Sequence, residues 1–117
     1  MSPETPPETL LTAPSSVPLC LLTLSLPKAL EETLLDALQA LPEHPGPYTV
    51  LQGHSLGAGV DLPSTMEQVR GRARRTLVQT VLSEDTLPAL IQALQTSVPH
   101  PDISWWTLPL LQHGRLA

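Results

Sequence analysis

The sequence predicts a small α+β domain in which strands and helices follow in the order βαββαβ. The chain of 117 residues suffices for one hydrophobic core, and its short apolar runs are bounded by proline or glycine. Two longer segments carry apolar residues at helical spacing. Four of the six basic residues are arginines within positions 70–75, although the net charge is −5. That cluster is the first candidate for a functional site.

The domain is predicted over residues 17–117. Residues 1–16 combine four prolines with serine, threonine and glutamate, a composition that buries too little apolar surface to fold, so we expect a flexible tail. The first strand is predicted over residues 19–26, because this apolar run is short and lies between Pro18 and Pro27.

The first helix follows directly, since Pro27 suits a first helical turn. Its apolar stripe consists of Leu30, Leu34, Ala37, Leu38 and Leu41. Pro42 ends the helix and opens a turn over residues 42–47. A second strand is predicted over residues 48–52, and Gly53 closes it.

The second half of the chain repeats the pattern after a long loop. Residues 54–68 show no sustained helical or strand period of apolar residues, so we expect a long loop there. Residues 74–82 alternate between two faces well enough to predict a third strand. Ser83 or Asp85 is predicted to cap a second helix, with Pro88 in its first turn. The apolar stripe of this helix is Leu87, Leu90, Ile91, Leu94 and Val98. A fourth strand is predicted over residues 103–108, before Pro109.

This order is that of the ferredoxin-like sandwich, a four-stranded antiparallel sheet with two helices on one face. Because two helices cover only one face, the other face is left open. It carries Leu77 and Val81, and one of Trp105 and Trp106 points the same way, while the other indole is expected in the core. An open apolar face predicts self-association.

Several classes of protein are disfavoured. An acidic chain with one basic cluster lacks the broad basic face of a nucleic-acid binder. Cys20 is the only cysteine, which excludes a disulfide framework and a CxxC zinc motif, and we expect it to be a buried apolar residue. The apolar run at 19–26 is too short to cross a bilayer, and no signal peptide is apparent. We therefore expect a cytoplasmic protein without membrane insertion.

The arginine cluster allows two interpretations. Its guanidinium groups match phosphate or carboxylate, and Gly71 allows the backbone to approach a ligand closely, which favours an anion pocket. Alternatively, the cluster is a solvated loop end whose arginines pair with Glu67, Asp61 or acids of a neighbouring subunit. The sequence leaves both open.

The other polar motifs carry little chemistry. Residues 53–59, GHSLGAG, are not followed by the lysine of a phosphate-binding loop, so we expect a flexible loop in which His54 is a ligand contact. GHSLG has the spacing of a nucleophile elbow, but the chain is too short for the fold that uses one. His44, His100 and His113 are expected at the surface, with no metal-ligand spacing and no catalytic group.

Four segments together resemble a known family. They are CLLTLSLPKALEETLLDAL from the first strand onward, GH after the second strand, EQVRGRARR, and SWWTLPLLQHGRL near the end. Over residues 18–117 the chain resembles the PII-like signalling proteins. It is most similar to a small branch whose members are often encoded beside heavy-metal efflux systems.

The resemblance implies a homotrimer of ferredoxin-like subunits whose sheets face a central channel. It identifies residues 54–70 with the mobile T-loop that docks on target proteins. It also implies that small effectors, commonly adenine nucleotides, bind in clefts between subunits. The matching ligand-binding candidates are Gly53, His54, Arg70, Arg72, Arg74 and Arg115.

Two features depart from the PII pattern. The turn at residues 97–102 lacks the glycines and the lysine that hold phosphates there. The loop contains no tyrosine, so regulation by uridylylation is not expected.

We therefore expect a non-enzymatic regulator that senses a small anionic effector and acts through the 54–70 loop on a partner such as a membrane transporter. One alternative is a CutA-like metal-responsive protein linked to heavy-metal efflux, using His54, His113 or Cys20. Another is a purely structural trimeric adaptor.

Overall fold

A computed structural model of the chain describes residues 17–42, 46–57, 59, 60, 62 and 64–117, except for the side chains of Val69 and Arg70. The predicted tail, His44 and Asp61 lie outside these residues. No helix in the described ranges is long and apolar enough to span a membrane. The elements are β1 (Leu19–Pro27), α1 (Glu31–Ala40), β2 (Thr49–Ser55), α2 (Thr65–Arg70), β3 (Ala73–Ser83), α3 (Leu87–Ser97) and β4 (Ser104–Pro109).

The four strands form one antiparallel sheet in the order β2-β3-β1-β4. The central strand β1 pairs with β3 from Leu19 opposite Ser83 to Pro27 opposite Arg75. A turn of 3-10 helix, Lys28–Leu30, joins β1 to α1. With this strand order, the predicted α+β ferredoxin-like fold class is confirmed.

The core lies between the sheet and the two longer helices. Alternate side chains of β1, from Cys20 to Leu26, are buried on the side of α1 and α3. The helices contribute members of the two predicted stripes, namely Leu34, Leu38, Leu90, Ile91 and Leu94. Both helices therefore cover one face, as the helical and strand periods predict. Cys20 is buried, as expected.

The opposite face of the sheet retains exposed apolar side chains. Strand register places Leu108 and Val81 on either side of Leu21, on the face away from the core. The exposed members of this open face are Leu51, Val81, Trp106 and Leu108. The prediction that Val81 and one tryptophan share the uncovered face is confirmed.

The two tryptophans lie on opposite faces of β4. Trp105 pairs with Leu24 on the core side, and Trp106 pairs with Thr23 on the open face. The prediction that one indole is buried in the core is wrong, because Trp105 is 44% exposed. Since β4 is an edge strand, the Trp105 side chain has a neighbouring strand on one side only and lies at the rim of the core.

Residues 54–70 are more regular than predicted. β2 continues past Gly53 to Ser55, because His54 and Ser55 pair with the first residues of β3. The helix α2 then occupies the last part of the predicted loop. Between β2 and α2, the described residues 56, 57, 59, 60, 62 and 64 belong to no helix or strand.

A capping box starts α2. The Oγ atom of Ser64 accepts a hydrogen bond from the Glu67 main-chain N–H at 3.0 Å, and the Glu67 carboxylate accepts one from the Ser64 N–H at 3.3 Å. Gly71 ends the helix with a φ of 70°, in the left-handed region that favours glycine. The Ser-x-x-Glu spacing is a sequence signal for such a helix start.

The start of α3 also differs in detail from the prediction. Thr86 precedes the first helical residue, and neither Ser83 nor Asp85 caps it with a side chain. Instead, the hydroxyls of Ser83 and Thr86 share a hydrogen bond of 2.7 Å. Pro88 lies in the first turn, as predicted.

A polar network connects the start of α1 to the sheet. One carboxylate oxygen of Glu31 accepts hydrogen bonds from Lys28 Nζ, Gln52 Nε2 and Thr76 Oγ1, each at 2.8 Å. These donors, led by Lys28, lower the pKa of Glu31 from 4.5 to about 2. Thr76 is completely buried, so its hydroxyl depends on this acceptor and on Gln52.

Candidate functional site

The arginines lie where β2 ends and β3 begins. The register of these strands places Gly53 opposite Arg75 and His54 opposite Arg74. Neighbours directly opposite in an antiparallel pair lie on the same face, so His54 and Arg74 lie side by side on the core face of the sheet. Arg75 lies on the open face. The alternation of β3 thus divides the arginine cluster between two sides of the sheet end.

A cavity of about 280 Å³ lies on the core side of this sheet end. Its walls come from the end of β2, from α2 and from the residues that lead into β3. They are His54, Ser64, Met66, Glu67, Arg72 and Arg74. Three of the predicted ligand-binding residues, His54, Arg72 and Arg74, therefore meet at one cavity.

A larger cavity of about 550 Å³ adjoins it. The end of β1, the start of β3 and the turn that precedes β4 form its walls. Its polar lining includes Ser25, Ser55, Glu67, Arg74, Arg75, His100, Asp102 and Ser104. Arg74 and Glu67 line both cavities, so the two form one composite cleft, which we call the arginine cleft.

Glu67 holds α2 against the strand that carries the arginines. One oxygen of its carboxylate accepts hydrogen bonds from Ser64, and the other accepts one from the Arg74 main-chain N–H at 2.5 Å. The side chain is only 8% exposed. The Arg74 N–H, with help from Ser64, lowers the pKa of Glu67 despite its burial. Glu67 is therefore an ionised carboxylate between the two cavities at neutral pH.

Arg75 fastens the turn before β4 to the sheet. Its Nη2 atom donates to Ser25 Oγ at 3.0 Å and to the carbonyl oxygen of Asp102 at 3.1 Å. Within the turn, the Asp102 N–H donates to His100 Nδ1 at 3.1 Å. These bonds hold His100 and Asp102 at the wall of the arginine cleft. The turn before the last strand therefore faces the cleft without a glycine or a lysine.

The other predicted residues are placed differently. Gly53 lies within β2, and adding a Cβ there would meet nothing within 4 Å. Arg70 is the last residue of α2, and its side chain is outside the described part of the structure. Arg115 lies beyond β4 in an exposed segment and lines neither cavity. Within one protomer, Arg115 is therefore not joined to the cleft.

Several residues that line the cleft are not predicted from the sequence, among them Glu67, Arg75 and His100. The sequence suggests Glu67 only as a partner for guanidinium groups, whereas in the structure its carboxylate accepts a hydrogen bond from the main-chain N–H of Arg74. Arg75 is not among the ligand-binding residues that the sequence predicts, and His100 is predicted only as a surface residue. The Ser-x-x-Glu spacing is a sequence signal that places Glu67 in the first turn of a helix. The position of His100 at the cleft depends instead on the order of the strands in the sheet.

The residues of the metal-binding alternative do not meet within one protomer. Cys20 is buried on the core face, and burial raises the pKa of its thiol. His113 lies beside Leu21 and Val81 on the open face. Across the described residues, no group of three or more histidine, cysteine or acidic side chains is suitable for holding a metal ion.

The chain is similar in fold to several solved structures. A DUF3240 family protein from Shewanella baltica OS155 matches with 18% identity and a TM-score of 0.64, covering 85% of this chain and 97% of that one. The PII-like protein CPII from Thiomonas intermedia K12, bound to ADP, AMP and bicarbonate, matches with 18% identity and a TM-score of 0.60, with coverage of 86% and 97%.

CutA from Synechococcus elongatus PCC7942 has the same fold, with 16% identity, a TM-score of 0.56 and coverage of 81% and 79%. At these identities the likeness concerns the fold alone. No curated protein sequence matches the chain. A family model described as a protein of unknown function, DUF3240, matches residues 16–117. The chain therefore belongs to the DUF3240 family and has the ferredoxin-like fold that PII-like proteins and CutA share.

Proposed function

We propose that this protein is a non-enzymatic, PII-like regulator that binds a small anionic effector in the arginine cleft. The observation that carries the proposal is the convergence of His54, Arg72 and Arg74 on one cavity beside α2. Arginine offers several donors in one plane, which suits phosphate and carboxylate groups. The cleft lies at the base of the 54–70 segment, so an occupant would contact residues that anchor this segment.

An adenine nucleotide is the effector that we propose to test first. CPII, which shares the fold, is bound to ADP and AMP in its solved structure. The adjoining cavities together have room for a nucleotide, since small-molecule sites usually measure about 300–1,000 Å³. Binding would favour one arrangement of α2 and thereby change the affinity of the 54–70 segment for a partner protein, for which we propose a membrane transporter.

We further propose that the protein acts as a homotrimer in the cytoplasm. Leu51, Val81, Trp106 and Leu108 leave an apolar patch on the open face that association would bury. In a trimer, the C-terminal segment of a neighbouring subunit would bring Arg115 to the cleft. This arrangement explains why Arg115 is a candidate although its own protomer does not join it to the cleft.

Isothermal titration calorimetry of the full chain with ATP, ADP, AMP and cyclic AMP tests the proposal. We expect saturable heat with at least one nucleotide. Replacing Arg72 or Arg74 with alanine is expected to weaken binding about tenfold, because each substitution removes charge-assisted hydrogen bonds. Gln92→Ala, an exposed change on α3, is the control and is expected to bind like the parent chain.

Two outcomes would contradict the proposal. If none of the four nucleotides produced heat of binding, an adenine nucleotide would be ruled out as the effector. If zinc, copper or cobalt then raised the melting temperature of the protein, a metal-responsive function would be favoured over nucleotide sensing. Unchanged nucleotide binding and partner binding in Arg72→Ala would instead favour a structural adaptor.

A further inference from the structure

Within one protomer, the formal charges of the described arginine and acidic residues that line the arginine cleft nearly cancel. Among the described side chains, the cleft is lined by three arginines, Arg72, Arg74 and Arg75, and by two carboxylates, Glu67 and Asp102. Three positive charges against two negative charges leave one net positive charge. The residues that line the larger cavity alone include two arginines, Arg74 and Arg75, and two acids, Glu67 and Asp102, so their formal charges sum to zero. A site for a polyphosphate would instead carry a large positive excess.

Glu67 cannot simply move away from an incoming anion. Its two oxygens hold both the start of α2, through Ser64, and the backbone of β3, through Arg74. These donors keep its pKa below the ordinary value, so the carboxylate stays charged at neutral pH. It is also 8% exposed, and a charge with so little solvent around it is weakly screened.

Arg75 is already engaged in hydrogen bonds within the protein. Its Nη2 atom donates to Ser25 and to the Asp102 carbonyl, and these bonds hold the turn before β4 in place. A ligand that recruited this donor fully would release the turn. Among the described arginine side chains that line the cleft, Arg72 and Arg74 remain available to an anion. Glu67 holds the main chain of Arg74.

We infer that the arginine cleft selects small ligands with a single anionic group and discriminates against those with several. This inference rests on the proposed function and specifies the ligand class of the same site. Among the described side chains of one protomer, each additional phosphate group on a nucleotide adds negative charge near Glu67 and Asp102 without adding a positive partner. Arg115 of a neighbouring subunit, which we propose above to reach the cleft, would offset one such charge. A nucleoside monophosphate or a cyclic monophosphate therefore fits the cleft better than a diphosphate or a triphosphate.

The test compares affinities across one series of ligands that share the adenosine moiety. Cyclic AMP, AMP, ADP and ATP are titrated into the full chain by calorimetry, in buffer with chelator, because divalent cations would neutralise the phosphates. At a low salt concentration of about 20 mM, we expect the affinity to fall about threefold or more with each phosphate added after AMP. At about 300 mM salt, screening should make these differences in affinity smaller.

Two variants assign the discrimination to the carboxylates. Glu67→Gln keeps an acceptor for the Arg74 N–H and removes the charge, and we expect it to reduce the preference for AMP over ATP at least threefold. Asp102→Asn makes the same change at an exposed position whose contact with Arg75 runs through the main chain, so folding is preserved. Glu32→Gln, on the exposed side of α1, changes the net charge equally and is expected to leave the ratio unaltered.

The outcomes separate this inference from the proposal on which it rests. If ATP binds more tightly than AMP without divalent cations, the selection is wrong and the nucleotide-binding function stands. The same conclusion follows if neither Glu67→Gln nor Asp102→Asn changes the AMP-to-ATP ratio. If no member of the series binds, the nucleotide effector and the selection are both wrong.

Discussion

The guanidinium of Arg75 donates a hydrogen bond to the main-chain carbonyl of Asp102 at 3.1 Å, which joins the strand that carries the arginines to the turn before β4. The two residues are 27 positions apart in the chain. The same Nη2 atom donates to Ser25 on the central strand. Arg75 therefore supports one wall of the arginine cleft as well as lining it.

We predict that Arg75→Ala destabilises the fold by about 1–2 kcal/mol, because two hydrogen bonds from a charged, partly buried group are lost. Urea denaturation measures the change in the free energy of unfolding. Arg72→Ala is the matched control: Arg72 is exposed, and its removal is expected to alter stability by no more than about 0.5 kcal/mol. If both variants lost the same free energy of unfolding, the hydrogen bond from Arg75 to Asp102 would contribute nothing measurable to stability.

The second prediction concerns acid stability. Because its donors lower the pKa of Glu31 from 4.5 to about 2, the ionised carboxylate stabilises the folded state. This contribution is complete above about pH 4.5, declines as the pH falls, and is lost below about pH 2. Thermal melts should therefore show Glu31→Gln less stable than the parent chain at pH 6, with a gap that narrows toward pH 2.5.

The neighbouring Glu32 provides the control for that experiment. It is exposed on the next position of α1, outside the network with Lys28, Gln52 and Thr76. Glu32→Gln is expected to follow the parent chain across the pH range. A gap between Glu31→Gln and the parent chain that does not change with pH would contradict the assigned role of the carboxylate charge.

Our third prediction compares two leucine-to-alanine substitutions. Leu90 on α3 is completely buried in the core, and Leu90→Ala should destabilise the fold by about 2–5 kcal/mol through lost contacts and a cavity. Leu111, beyond β4, is 96% exposed, and Leu111→Ala should leave the unfolding midpoint of one protomer nearly unchanged. Denaturation at low protein concentration keeps association from contributing.

A fourth prediction addresses the local stability of α2. Ser64→Ala removes the hydroxyl of the capping box and should weaken the helix by about 0.5–2 kcal/mol. Hydrogen exchange of the amides of residues 67–71 should accelerate, while the global melting temperature changes little, because α2 is peripheral to the core. The exposed Thr65→Ala, one position further on, should leave the exchange rates unchanged.

The fifth prediction tests the proposed assembly with the two tryptophans. They are equally exposed, at 44% and 45%, but lie on opposite faces of β4. Trp106→Glu places a charge in the open apolar face and should dissociate the trimer, whereas Trp105→Glu should leave it assembled. Sedimentation velocity distinguishes the two. Dissociation by Trp105→Glu alone would move the interface to the core side of the sheet.

The sequence by itself determined the order of the four strands and the two longer helices, and which side chains of an element share a face. Alternation along β1 buried Cys20 and its even-numbered neighbours, and helical spacing placed Leu34 and Leu90 over the same face. These features depend on local periods of about two and 3.6 residues, which can be detected within the short segment that forms each element. The capping box of α2 is also a local signal, because Ser64 and Glu67 are three positions apart. The helix itself is nevertheless not predicted, since residues 54–68 are expected to form a loop.

Only the tertiary structure decided how the arginine cleft is built. Strand order brings the turn at His100 and Asp102 to the start of β3, and the register between β2 and β3 sets His54 beside Arg74. These pairings join distant segments, and no local period encodes which segments meet. For the same reason, the near balance of arginine and carboxylate charge in the cleft is visible only in the folded chain.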